Sequence, residues 1–331
     1  MPGRAVPSVP PPIVFSATGR WTPGAPACAV AVGNFDGVHV GHAAIVERLL
    51  AAARSRGLPA VVYTFDPHPA SVVRPEAAPV PLTTPRRRAD LLAALGVDAV
   101  LVQPTDASLV ALEAEAFYTE ILRGRLRADA LVEGTDFRFG ARRRGDMAML
   151  AALCAADGVF LETVPPVERD GASVSSSRLR QLIGAGNVAE ANGMLTAAYR
   201  CTGTVVEGAR RGGTIGFPTA NLGGIATLLP AGGVYAADAG IDDDGARWPA
   251  AVHVGPNVSF GETSVSVEAH LIGFAGNLYG RTLHVDFLDR LRDTRKFASV
   301  DELKKQLAID VERAAATAAS PAIRTTPAMG N

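Results

Sequence analysis

One segment restricts the fold of this chain more than any other. An apolar run from Ala27 to Val32 leads into Gly33-Asn34-Phe35-Asp36-Gly37-Val38-His39-Val40-Gly41-His42, and a helix-like run follows from Ala43 to Arg54. A strand that ends in a glycine-rich turn and opens a helix is half of a βα unit, and such units pack on a parallel sheet. The helix start presents unpaired N–H groups and a partial positive charge, which suits a phosphate. Gly33, Gly37 and Gly41 let the backbone approach an anion closely. His39 and His42, at i and i+3, share one side of the helix start.

The βα pattern continues to about Gly184. Strands are expected at Ala27–Phe35, Pro59–Phe65, Asp98–Gln103, Ala128–Glu133 and Val159–Val164, with helices between them. Thr84-Pro85 reads as an N-cap followed by proline at the first helical position, with Gly96 as the stop, and Gly57 ends the first helix. This predicts an α/β domain with a doubly wound parallel sheet, whose ligands bind at the carboxyl ends of the strands. Helical residues from Ser175 to Leu195 close that half. The period then changes to short strands broken by glycine, at Tyr199–Glu207, Val234–Ile241, Pro249–Gly255, Val265–Phe274 and Thr282–Leu288, which predicts a small β-barrel. A terminal helix follows from Val300 to about Ala316, with Ser299 as cap and Glu302 completing a capping box. The expected division is a Pro-rich tail over 1–26, a first domain over 27–188, a second over 189–316 and a disordered tail over 317–331.

Composition removes several classes of function. The net charge of −1 leaves no basic field for nucleic acid, although Arg86-Arg87-Arg88 and Arg142-Arg143-Arg144 are local exceptions. Cys28, Cys154 and Cys201 lie far apart with no CxxC pair, so neither zinc nor a disulfide framework is indicated. No apolar run is long enough to span a bilayer and no export signal is evident, so the cytoplasm is the expected compartment and no membrane partner is expected. Lysine occurs only at Lys296, Lys304 and Lys305, so no GxxxxGK[ST] loop can form. Any nucleotide must therefore be held by arginine, histidine, backbone amides and a metal. A monomer or weak homo-oligomer is expected.

Gly33–His42 resembles the HxGH motif of the adenylyl- and cytidylyltransferases, and its wording is similar to that of the prokaryotic bifunctional riboflavin kinase/FMN adenylyltransferases. Thr64-Phe65-Asp66-Pro67-His68-Pro69, Gly134-Thr135-Asp136-Phe137-Arg138-Phe139-Gly140 and Val174-Ser175-Ser176-Ser177-Arg178-Leu179-Arg180 match further segments of that family. In the second half, Gly216-Phe217-Pro218-Thr219-Ala220-Asn221 resembles the GFPTAN segment of riboflavin kinases. The resemblance covers about residues 28 to 313. It implies FMN synthesis from riboflavin and ATP in the barrel, then FAD and pyrophosphate from FMN and ATP in the sheet domain. An adenylyltransferase alone, with the barrel reduced to a flavin-binding module, is the alternative.

The resemblance also implies residue roles. His39 and His42 are the catalytic histidines. Gly33, Phe35, Asp36, Gly41, Ser175, Ser176, Ser177, Arg178 and Arg180 bind ATP in the first half, and Gly216 and Pro218 in the second. Asp66, His68, Asp136, Arg138 and Arg292 border flavin. Thr219 and Asn221 are oxygen donors suited to Mg²⁺, and Glu268 is the general base towards the riboflavin 5′-hydroxyl. Strict alternation over Val265–Leu271 places Val265, Val267, Ala269 and Leu271 on the core side and Ser266, Glu268 and His270 on the other. The family often carries arginine where Gly213 stands and acidic residues at Gly273, Ala275 and Asn277. Val258 stands for its usual proline, and Thr294 for its usual glutamate.

Overall fold

The computed structural model describes residues 13–16, 24, 27–208, 211–242, 245–256 and 265–320. The chain divides into two compact units, up to Val174 and from Ser175 onward.

In the first unit, β1 (Ile13–Ser16), β2 (Cys28–Val32), β3 (Ala60–Asp66), β4 (Ala99–Pro104), β5 (Ala128–Gly134) and β6 (Phe160–Val164) form one sheet in the order β1-β4-β3-β2-β5-β6. The five strands from β2 to β6 are parallel, and β1 is an antiparallel edge on β4. Every residue of β2 is buried, as a strand covered on both faces requires. Cys28, Val30 and Val32 face one core, with Leu122, Leu150 and Cys154. Ala29 and Ala31 face another, with Val46 and Leu49 of the helix Val40–Arg56 and with Leu92. The sheet is therefore doubly wound, as expected. Thr84 caps the helix Pro85–Ala94 by accepting from the Arg87 N–H, and Gly57 and Gly96 take positive φ past their helices. A two-residue turn at Asp170-Gly171 joins β7 (Glu168–Arg169) to β8 (Ala172–Ser173), both turn residues having positive φ.

The second unit holds a closed antiparallel barrel. Its strands are β9 (Tyr199–Val206), β10 (Ala220–Gly223), β11 (Gly233–Ile241), β12 (Arg247–Gly255), β13 (Ser266–Leu271) and β14 (Thr282–Arg292), in the order β10-β13-β12-β11-β14-β9. The terminal helix Val300–Ala319 buries Ala314 against Val234, Ala236 and Leu291.

Five expectations are corrected. The Pro-rich tail is not all tail, because the apolar Ile13-Val14-Phe15 supplies an edge strand to β4. The stretch Ser175–Leu195 is two helices, Ser176–Gly184 and Val188–Asn192, broken where Gly186 takes φ 86°. Both group with the barrel, where the Asn192 amide donates to the Phe287 carbonyl and accepts from the Tyr199 N–H. The terminal helix runs through Thr317 to Ala319, since the alanines there favour helix and Ala318 is buried; the rest of the expected tail, from 321, lies outside the described residues. Glu302 accepts from the Ala298 N–H rather than from the cap residue, so the Ser299 cap is one-sided. Val265 precedes the first paired residue of β13 and is 63% exposed, so the alternation begins at Ser266.

Candidate active sites

The turn after β2 is strained. Phe35 and Val38 have φ of 46° and 42°, between them Gly37 has φ 87°, and a β-branched residue such as Val38 is disfavoured there. Asp36 fastens this turn to the next loop. Its carboxylate, 3% exposed, accepts from the Leu82 N–H, the Thr83 N–H and the Thr83 hydroxyl at 2.9–3.1 Å. The ATP-binding expectation for Asp36 thus falls on a side chain engaged in holding the loop, and Phe35 is likewise buried, its ring 5.0 Å from His42.

The two histidines cap the helix reciprocally. Nδ1 of His39 accepts from the His42 N–H at 3.3 Å, and Nδ1 of His42 accepts from the His39 N–H at 3.4 Å. The rings stack with centroids 3.6 Å apart. A neutral imidazole whose Nδ1 accepts carries its proton on Nε2, so each ring keeps one donor. Burial lowers the pKa of His39 to about 4, against the opposing pull of Asp36. Burial, then His39 and Arg88, lower that of His42 well below the usual value. A Cβ on Gly41 would lie 3.1 Å from the His39 ring, which explains the glycine between the histidines.

Asp66 and His68 lie at the carboxyl end of β3, where Phe65, Asp66, His68 and Arg88 line a cleft. Burial raises the pKa of Asp66 against the lowering effect of Arg88. His68 caps the helix Pro69–Val73 through Nδ1 and meets the Asn34 amide at 2.9 Å through Nε2, so it braces the turn. Asp136 and Arg138 are exposed on the loop after β5, and Arg138 donates to the Phe137 carbonyl. Ser175 caps the helix Ser176–Gly184 by accepting from the Arg178 N–H, Ser176 and Ser177 form its first turn, and Arg178 lies 3.7 Å from Glu190. This segment and Arg180 belong to the second unit.

In the barrel, β10 places Asn221 opposite Glu268 of β13. The Thr219 hydroxyl donates to one Glu268 oxygen at 3.3 Å, and the Ser266 hydroxyl, 3.2 Å from the Gly255 carbonyl, lies 3.4 Å from the other. Gly208 passes so close that a Cβ there would lie 2.2 Å from the Asn221 amide. His270 binds the Pro218 carbonyl at 2.7 Å, and its ring meets Phe217 edge-on. A carbonyl only accepts, so His270 Nδ1 carries the proton. Gly216, with φ 91°, completes the turn. Thr219 and Asn221 thus offer two hard oxygen donors beside the Glu268 carboxylate, a setting that fits Mg²⁺. Arg292 is elsewhere engaged: its guanidinium makes a two-pronged pair with Asp310 of the terminal helix, which is 1% exposed. The flavin expectation for Arg292 thus falls on a residue that ties this helix to β14.

The family model for FAD synthetase matches residues 23–178, and that for riboflavin kinase matches residues 195–318. The chain belongs to the bifunctional riboflavin kinase/FMN adenylyltransferase family. It is 36% identical to the enzyme of that name from Escherichia coli K12 over 284 residues, 86% of this chain and 90% of that one. It is 38% identical to the one from Pseudomonas fluorescens, over 90% and 95% of the two chains. A crystal structure described as a macrolide-efflux protein from Streptococcus pneumoniae superposes with a TM-score of 0.80 at 34% identity, covering 91% of this chain and 97% of that one. Among the described residues, no helix is long and apolar enough to cross a membrane.

The sequence alone gives no bracing role to Thr64, Thr83 or His270, and Arg88 stands out there only within the basic run Arg86-Arg87-Arg88. Its burial had a signal: at helical period Arg88 shares a face with Leu92, four residues on, which is buried.

Proposed function

We propose that the second unit phosphorylates riboflavin and the first adenylylates the resulting FMN. The riboflavin kinase match and the bifunctional relatives support this over an adenylyltransferase alone. One observation carries the chemistry of the first unit: two stacked, neutral imidazoles cap one helix and keep Nε2–H free of the cap. Such donors suit the phosphates of ATP while an FMN phosphate oxygen attacks the α-phosphorus and pyrophosphate leaves. Preorganised donors of this kind are worth roughly 3–4 kcal/mol each in comparable charge-developing reactions. The amides of Gly33, Phe35 and Gly41 border the same turn. Ser175, Ser176, Ser177, Arg178 and Arg180, which group with the second unit, offer hydroxyls and charged forks of the kind that hold phosphates. Asp66, His68, Asp136 and Arg138 form the flavin side, with His68 acting as a brace.

In the second unit Glu268 takes the proton of the riboflavin 5′-hydroxyl as that oxygen attacks the γ-phosphorus of ATP and ADP leaves. Thr219 and Asn221 hold Mg²⁺, which when bound neutralises charge on the transferring phosphoryl group. Gly216 and Pro218 shape the nucleotide loop, and Arg292 anchors the terminal helix to β14. The protein works in the cytoplasm on small flavins and ATP, as a monomer or weak homo-oligomer, without nucleic acid or membrane.

Incubation with riboflavin, ATP and Mg²⁺ tests both halves. FMN followed by FAD is the expected product series; FAD formed only from supplied FMN would remove the kinase half. His42→Ala should suppress FAD formation and leave FMN formation intact.

A further inference from the structure

Arg86, Arg87 and Arg88 enter one helix in succession, but they end in different places. Arg86 is exposed and pairs with Asp90 at 2.9 Å. Arg88 turns inward and is 5% exposed. Its Nη1 donates to the Thr64 hydroxyl at 3.1 Å and to the Phe65 carbonyl at 2.9 Å. Its Nε reaches the Thr83 hydroxyl at 3.5 Å, and its Nη2 lies 3.8 Å from Asp36.

Each of these partners except Phe65 in turn grips the strained turn that carries the histidines. The Thr64 hydroxyl donates to the Asn34 carbonyl at 2.9 Å. The Thr83 hydroxyl donates to Asp36 and accepts from the Gly37 N–H. Asp36 lies between two residues of positive φ, Phe35 and Gly37. At the non-glycine residues Phe35 and Val38 such a conformation costs about 1–3 kcal/mol each and persists only where surrounding contacts over-determine it. One buried guanidinium joins the end of β3, the Leu82–Thr83 loop and Asp36, and its charge also opposes a proton on His42.

We propose that Arg88 is a positioning residue for adenylyl transfer, holding the turn so that His39 and His42 stay stacked as a pair of phosphate donors. The proposal rests on the adenylyl-transfer reading of the first unit. Arg88 borders the cleft beside Asp66 and His68, and its positioning role runs through Thr64, Thr83 and Asp36.

The test uses the full chain with Mg²⁺, FMN and ATP. Arg88→Lys keeps the charge but cannot span three partners. The kcat for FAD formation should fall roughly a hundredfold, the scale expected for a misplacement of about 1 Å, while the KM values for ATP and FMN stay within about threefold. Thr64→Val removes the hydroxyl that links Arg88 to Asn34 and should show the same split at about a tenfold loss. Riboflavin phosphorylation by the same samples should be unchanged. An unaltered kcat in either variant overturns the proposal, and so does a loss confined to KM for ATP or for FMN, which would mean that Arg88 binds that substrate directly. If the unsubstituted protein forms no FAD from FMN, the adenylyl-transfer reading itself fails and takes the proposal with it.

Discussion

Acid should loosen the first unit through His39, and the size of the effect follows from its burial. In the unfolded chain this imidazole takes a proton near pH 6.5, whereas in the folded protein it does so near 4. Between those values the unfolded state binds a proton that the folded state refuses, so stability falls as pH falls. At pH 4 the loss from this one group is about 3 kcal/mol relative to neutral pH, taking about 1.4 kcal/mol per unit and half-protonation at the lower value. His42 is shifted in the same direction and adds to it. Glu133 works the other way. It is fully buried, accepts from the Val32 N–H, and has its pKa raised by desolvation, so its contribution is present at low pH and is lost as pH rises above the ordinary glutamate range.

Because these slopes oppose each other, the wild-type pH profile alone does not isolate His39. The informative comparison is His39→Asn, since asparagine can still accept the His42 N–H as an N-cap. Amide hydrogen exchange in β2, β3 and β4 of the full-length protein reports the opening free energy of this unit separately from the barrel. The gap between wild type and His39→Asn should shift by about 3 kcal/mol in favour of the variant between pH 7 and pH 4. A gap that stays constant over that range would refute the claim that a buried, neutral imidazole sits at this cap.

Three further outcomes are expected. Glu268→Gln should lower riboflavin phosphorylation by roughly two to four orders of magnitude, the range for a lost general base, with FAD synthesis from supplied FMN unchanged in a coupled pyrophosphate assay. Asp310→Ala leaves Arg292 without its buried partner and should destabilise the second unit by about 3–5 kcal/mol, measured by hydrogen exchange in β11 and β14. Gly213→Arg should be tolerated, since an added Cβ there meets nothing within 4 Å; denaturation should change by less than about 0.5 kcal/mol, and the kinase KM for ATP should fall.

The strands that position both sites were legible because burial dictates their residues. Cys28–Val32 is buried on both faces and reads as a continuous apolar run, while β13 has one half-buried face and alternates from Ser266. Glycine also carried information that the structure explains, as at Gly41, where a side chain would collide with the His39 ring. What stayed hidden was pairing across long sequence separations. Nothing local links Arg292 to Asp310, or Arg88 to Thr64, and an exposed charge on one helix turn looks the same as a buried one on the next. The edge strand Ile13–Ser16 was hidden for a related reason: four residues inside a Pro-rich stretch carry too little pattern to declare a strand until β4 is there to pair with.

Both sites place the reactive loop and its brace on different segments. In the first unit the HxGH turn supplies the imidazoles, but its conformation is imposed from outside by Thr64, Thr83 and Arg88. In the barrel the Gly216–Asn221 segment supplies the oxygen donors, and strand β13 fixes it through two side chains on one face, Glu268 to Thr219 and His270 to Pro218. A loop that must let phosphate approach cannot carry bulky side chains of its own, so the contacts that hold it have to come from neighbouring strands and helices. That arrangement explains why the motifs are short and glycine-rich while their supports are scattered. It also implies that a brace can be weakened by a single distant substitution that leaves every motif residue in place. His270→Phe is the barrel's version of that experiment. It keeps a ring against Phe217 and removes the donor to Pro218, so it should lower the kinase kcat by roughly tenfold or more without affecting FAD synthesis; an unchanged kcat would mean that the loop holds its shape without help from β13.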